Sequence, residues 1–76
     1  MYVGTDLASA PLNTSLTLVD APDGYRQRLS SLGLRVGAHF SLVSRTAGGG
    51  RVALIAGSRI ALGSTLLPQL RVDVAR

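Results

Sequence analysis

The stretch "RLSSLGLRVGAHFSLV" (Arg28–Val43) changes from a helical to a strand pattern within a few residues. Apolar residues recur at the spacing of one helix face up to Leu32, and from His39 they alternate as in a half-buried strand. Gly33 and Gly37 stand between the two patterns. A helix of fewer than three turns is not stable alone in water, so the chain must pack this helix against a sheet.

The two glycines of this corner have separate predicted roles. Gly33 follows the helix, where glycine adopts the left-handed conformation without penalty. Leu34 then folds back onto Leu29, and the three residues form a Schellman-type helix end. Gly37 occupies the third position of a turn over residues 35–38, where a type II turn requires a positive φ. One glycine therefore ends the helix and the other begins the strand.

Short strand patterns separated by turns make up most of the remaining chain. Asp23 is the expected N-cap of the helix, and "TAGGG" is the expected loop of a hairpin. These strand patterns predict a mainly β protein. A closed sheet is expected because closure removes exposed strand edges. We expect a small SH3-like β-barrel of about five strands, with one short helix between the first two. Residues 1–13 form a loosely structured lead-in, and residues 14–76 form a single domain. The five strand patterns cover residues 15–20, 39–45, 51–57, 58–62 and 70–76. Alternation places the following apolar residues together on the inward face of their strands: Leu16 and Leu18, Phe40 and Leu42, Val52 and Leu54, and Leu70, Val72 and Val74.

Composition gives little support to catalysis or to a bound cofactor. The 76 residues contain no cysteine and one histidine, which excludes disulfides, thiolate zinc sites and imidazole clusters within one chain. His39 is predicted on the solvent face of a strand. Gly48–Gly50 lacks the Lys-Ser/Thr that follows a phosphate-binding loop. We therefore expect no catalytic residues, no metal ligands and no cofactor.

The charge and apolar content favour a protein partner. The sequence contains eight arginines and four aspartates. Because 46% of the residues are hydrophobic, a domain this small is expected to expose apolar surface. Self-association is consistent with that surface. Tyr25 and Phe40 are predicted to point inward, which removes a base-stacking platform and does not favour nucleic acid. Residues 52–70 approach the length of a membrane span, but Arg59 near their middle opposes insertion. We expect no secretory signal in the N-terminal residues, and we expect a cytoplasmic protein.

Two segments carry a resemblance to a known family. Arg28–Gly37 and Gly57–Leu62, with the glycine-rich turn and the terminal apolar strand, resemble the FeoA family over about Leu16 to Val74. That family typically reads as a basic residue, Arg-Leu, two variable residues, Leu-Gly-Leu, one variable residue and Pro-Gly. Val36 stands where proline is usual. "GSTLLPQL" replaces the basic residue and helical pair that usually follow Leu62.

The resemblance implies a small cytosolic accessory protein of ferrous iron uptake, without enzymatic activity. Its implied partner is a FeoB-type GTPase iron transporter, which would hold it at the inner face of the membrane. The alternatives are the SH3-like module of an iron-dependent repressor and a small nucleic-acid-binding barrel. Leu34 and Arg35 are either the latch of the corner or a face for the partner. The predicted partner-binding residues are Arg28, Leu32, Leu34, Arg35, Arg45 and Arg59.

Overall fold

The computed structural model describes residues 2–75, with side-chain burial for residues 4–74. Over these residues the chain forms one α-helix, α1 (Asp23–Ser31), and six strands. Short 3₁₀ turns cover residues 7–9, 47–49 and 67–69. The strands are β1 (Tyr2–Asp6), β2 (Leu16–Asp20), β3 (His39–Arg45), β4 (Arg51–Ile55), β5 (Ser58–Leu62) and β6 (Arg71–Ala75).

All six strands belong to one antiparallel sheet in the order β1-β6-β2-β3-β4-β5. β3 joins two halves, because His39 and Phe40 pair with β2 while Ser41–Arg45 pair with β4. The mainly β class is confirmed. The prediction of a closed five-stranded barrel is wrong, because in the described residues β1 and β5 are the two ends of an open sheet.

The N-terminal segment is part of the sheet. Residues 2–6 form β1, which pairs with β6 in the register Val3↔Val74, and Leu7 directly after it is fully buried. The prediction of a loosely structured lead-in over residues 1–13 is therefore wrong for residues 2–9. Met1 lies outside the described residues. With β1 in place, α1 lies between the second and third strands instead of between the first two.

The core takes alternate side chains from the strands. The predicted inward faces of β2, β3 and β6 are confirmed. On β4 the core takes Ala53 and Ile55, whereas the sequence pattern grouped Val52 with Leu54 on one apolar face. That face points outward, and Leu54 is 36% exposed. Strand side chains in the core are Leu16, Leu18, Phe40, Leu42, Ala53, Ile55, Leu62, Val72 and Val74.

The start of α1 differs from the prediction. Pro22 is the N-cap residue and makes no side-chain capping bond, while Asp23 is the first helical residue. The Asp20 carboxylate instead accepts hydrogen bonds from the Ala21 N–H (3.0 Å) and from Nη2 of Arg26 (2.6 Å). The connection between β2 and α1 is therefore fixed by Asp20, which the sequence pattern assigned to the end of a strand.

Candidate functional site

The end of α1 forms the predicted helix stop. Gly33 has φ +93°, and its N–H donates to the carbonyl of Ser30 at 3.0 Å. The N–H of Leu34 donates to the carbonyl of Leu29 at 2.8 Å, and both leucine side chains are buried. These two bonds define a Schellman motif with its apolar contact. The predicted roles of Leu29, Gly33 and Leu34 as a latch are confirmed.

The turn after the helix is tied to β2. The N–H of Ala38 donates to the carbonyl of Arg35 at 2.9 Å, and Gly37 between them has φ +93°. This agrees with the predicted type II turn. The N–H of Gly37 donates to the carbonyl of Leu18 at 2.7 Å, and the N–H of Leu18 donates to the carbonyl of Ala38 at 3.0 Å. The backbone around Arg35 is therefore held at both ends.

This corner encloses a small groove of about 190 Å³, which we call the corner groove. Its floor is apolar and buried, and it consists of side chains from β2, the β2–α1 connection and the helix stop. Its rim is exposed, and Val36 on that rim is 53% exposed. The lining residues are Leu18, Ala21 and Leu34 on the floor, with Arg26, Ser30, Arg35 and Val36 around it.

The two arginines on the rim differ in their electrostatic surroundings. Arg26 is held by three oxygens: its Nη2 contacts Asp20 at 2.6 Å, and its Nε lies 2.8 Å from the Ala21 carbonyl and 3.6 Å from Asp23. Within residues 4–74, no carboxylate lies within 4.0 Å of the Arg35 guanidinium. The corner groove therefore combines an apolar floor with one positive charge available to an incoming group.

The two predicted partner-binding leucines differ in their exposure to solvent. Leu34 is 1% exposed, so its side chain lies in the core and reaches the surface only at the floor of the corner groove. Leu32 is 43% exposed although the helical spacing placed it on the buried face. Leu32 is the C-cap residue of α1, and the chain turns back directly after it at Gly33.

The predicted arginines occupy different parts of the surface. Arg35 lines the corner groove, and Arg28 is exposed on α1, four residues before Leu32. Arg45 ends β3, and Arg59 on β5 lines a separate shallow depression of about 310 Å³ with Val43, Ser44 and Val52. Val36 and Leu54 are exposed apolar residues that the sequence patterns did not identify. The exposure of Val36 could have been predicted from the sequence, because Val36 stands at the turn position where the family usually has proline and this position points outward.

Other polar features have local structural roles. Gly48–Gly50 lies in the loop of the β3–β4 hairpin, as predicted, and its carbonyls at Gly49 and Gly50 accept from Nη1 of Arg51. His39 is exposed as predicted, with its Nδ1 3.0 Å from Oγ1 of Thr17. Across the described part of the chain, no three His, Cys, Asp or Glu side chains come together as metal ligands. No helix in that part is long and apolar enough to cross a membrane.

Solved structures share this fold. An iron uptake regulatory protein, FeoA, matches with a TM-score of 0.83 and 23% identity, covering 96% of this chain and 99% of its own. FeoA of Stenotrophomonas maltophilia complexed with zinc, a procaryotic SH3 domain protein, matches with a TM-score of 0.69 and 26% identity. That match covers 91% of this chain and 89% of the other.

A third similar structure is ScaR with bound Zn²⁺, with a TM-score of 0.78 and 19% identity. It covers 91% of this chain but only 36% of ScaR, so this fold is one part of that larger chain. No curated protein sequence matches this chain. The FeoA domain model matches residues 5–74, which include β2 to β5, the helix stop and both glycines of the corner. The chain therefore belongs to the FeoA family and has an SH3-like fold.

Proposed function

We propose that this protein is a non-catalytic cytoplasmic accessory protein of ferrous iron uptake, which binds a FeoB-type GTPase transporter through the corner groove. Membership of the FeoA family supports the link to ferrous iron transport. The observation that carries the choice of surface is the combination of a buried apolar floor with the Arg35 guanidinium, which has no carboxylate within 4.0 Å among residues 4–74. Apolar anchors beside arginine are typical of the residues that dominate binding energy in protein interfaces.

The corner groove is rigid enough to present this combination in one geometry. Two positive-φ glycines and the bonds between Leu18, Gly37 and Ala38 fix the backbone on both sides of Arg35. A partner that inserts an apolar side chain beside a carboxylate would cover the floor and pair with that guanidinium. Binding changes the activity of the transporter only if its two conformational states have different affinities for this protein.

The test measures binding of Arg35→Glu and Val36→Asp to the full-length transporter in nanodiscs by surface plasmon resonance. We expect each change to raise Kd about tenfold or more, which corresponds to about 1.4 kcal/mol. Arg45→Glu is the matched control, since it makes the same charge change on an exposed residue outside the corner groove. Wild-type affinity in both corner variants, with both still folded, would contradict this choice of surface.

A repressor-type or nucleic-acid-binding role predicts a different result in the same series. Binding to duplex DNA through phosphates weakens steeply with salt, and Arg35→Glu and Arg45→Glu would then weaken it alike. The described aromatic side chains do not favour this role. Phe40 is 5% exposed and Tyr25 packs against the core, so neither offers a free ring face for stacking on bases.

A further inference from the structure

Among the described strands, none pairs with the outer edge of β5. β5 ends the sheet order and pairs with β4 on one side only. The two strands are joined by Ala56 (φ +50°) and Gly57 (φ +85°), as in a two-residue type I′ hairpin. In such a hairpin Ile55 and Ser58 form a hydrogen-bonded pair, and hydrogen-bonded and non-hydrogen-bonded pairs alternate from there.

This alternation decides which backbone groups of β5 face outward. Ile60 bonds to Ala53 of β4, whereas Arg59 and Ala61 point their N–H and C=O groups away from the sheet. Within the described chain no other backbone group bonds to Arg59 or Ala61. Both residues are exposed. The edge therefore offers two donors and two acceptors at the spacing of an added strand.

The β5 edge lacks most of the features that protect edge strands. Natural edges are blocked by proline, by bulges, by covering segments or by charge. The β4–β5 register runs through five pairs without a shift, and β5 contains no proline. Arg59 is its one charged residue. The edge is therefore regular. The charge of Arg59, which is its one protective feature, also favours an acidic strand as the one that pairs with it.

The charge distribution indicates which kind of strand fits. Arg59 on this edge has no carboxylate within 4.0 Å among residues 4–74, and the segment 33–70, which includes β3, β4 and β5, contains no acidic residue. The outer face beside the edge adds apolar surface from Val52 and Leu54, which lie opposite Ala61 and Arg59 on β4. A second copy pairing antiparallel about Ile60 would bring two Arg59 side chains together diagonally on one face, which is unfavourable.

We infer that the β5 edge binds an extended acidic segment of a partner protein, which adds to the sheet as a seventh strand. Main-chain hydrogen bonds to Arg59 and Ala61 supply the affinity, and acidic side chains beside Arg59 supply the selectivity. This inference is independent of the proposed function, because the corner groove and β5 share no residue. Loss of transporter binding in the corner variants would leave it unaffected.

The test uses a fluorescein-labelled eight-residue peptide in which glutamate alternates with valine, measured by fluorescence anisotropy against the full chain. We expect binding by the wild-type protein, at least tenfold weaker binding when lysine replaces glutamate, and at least tenfold weaker binding when alternate peptide amides are N-methylated. N-methylation removes strand hydrogen bonds without changing the protein or the charge. Equal binding of the methylated peptide, or no binding of the parent peptide at 1 mM protein, would overturn the inference.

Substitutions in the protein itself provide a second test of the same edge. Ala61→Pro removes one outward N–H and leaves the hydrogen bonds to β4 intact, because proline is tolerated on the free side of an edge strand. Ala61→Thr is the matched control that keeps the N–H. We expect a tenfold or greater loss for proline, less than a threefold change for threonine, and a reduced salt dependence for Arg59→Glu. Wild-type binding by a folded Ala61→Pro variant would contradict strand addition.

Discussion

Replacing Gly33 with alanine is expected to lower the free energy of unfolding by about 1–2 kcal/mol, the cost of placing an L-residue in a left-handed conformation. Gly33 has φ +93°, and a Cβ built there lies 3.5 Å from Cγ2 of Ile55, an ordinary contact. The penalty is therefore conformational and not steric. For a domain of this size each kcal/mol shifts Tm by roughly 4–8 °C, so Tm is expected to fall by about 4–16 °C.

Two other glycine-to-alanine substitutions serve as comparisons for Gly33→Ala. Gly37 also has φ +93° but would meet nothing within 4 Å, so Gly37→Ala is expected to cost a similar amount. Gly24 lies inside α1, has no positive φ and also faces open space. Gly24→Ala is therefore expected to raise stability by up to about 1 kcal/mol, because alanine is the better helix former.

Urea and thermal unfolding of the three alanine variants are followed by circular dichroism. Their free energies of unfolding are compared with the wild type where the m-value is unchanged. Gly33→Asn adds a rescue arm, since asparagine tolerates the left-handed region better than alanine. A Gly33→Ala protein that unfolds within about 2 °C of the wild type would refute the reasoning. The helix would then end without the left-handed residue that the Schellman bonds require.

Two further changes address the same corner. Leu34→Ala is expected to destabilise by about 2–5 kcal/mol by leaving a cavity beside Leu29, measured as a lower urea midpoint; a change under about 1 kcal/mol would contradict its place in the core. Val36→Pro is expected to stabilise by about 0.4–1 kcal/mol, because proline fixes the φ that the second position of a type II turn needs. Differential scanning calorimetry checks this gain, and a lower Tm would show that the turn at Gly37 is of another type.

The helix stop and the turn at Gly37 were predictable because their signals are local. Gly33 with Leu34, and Gly37 after Val36, each determine backbone geometry within a few residues, and the structure has both features where the pattern placed them. Alternation likewise identified the inward residues of β2, β3 and β6. In these segments the side chain's local spacing already determines which face meets the core.

The remaining features depend on contacts between distant segments. Within the described residues β1 pairs with β6 alone, far away in the sequence, and Gly4 weakens the strand pattern of residues 2–6. In β4 the run "RVALI" is apolar on both faces, so alternation could not choose between Leu54 and Ile55. The type I′ turn at Ala56–Gly57 sets that choice through the register of β5.

The candidate site was partly predictable for the same reason. Arg35 was identified because two glycines bracket it, and it does line the corner groove. The exposure of Leu32 and the burial of Leu34 depend on how the chain turns back at Gly33 after the end of α1. Arg45 and Arg59 were grouped with the corner by charge alone, and strand order places them in the other half of the sheet.

The position of β6 has a consequence for how the chain acquires its structure. β6 lies between β1 and β2 in the sheet, so β1 has no partner strand until β6 has been synthesised. The helix stop and the β3–β4–β5 meander have short sequence separations and can form earlier. Among the six described strands, β1 therefore joins the sheet only after β6 has paired with β2, and the slowest folding step is expected to be the insertion of β6 between β1 and β2.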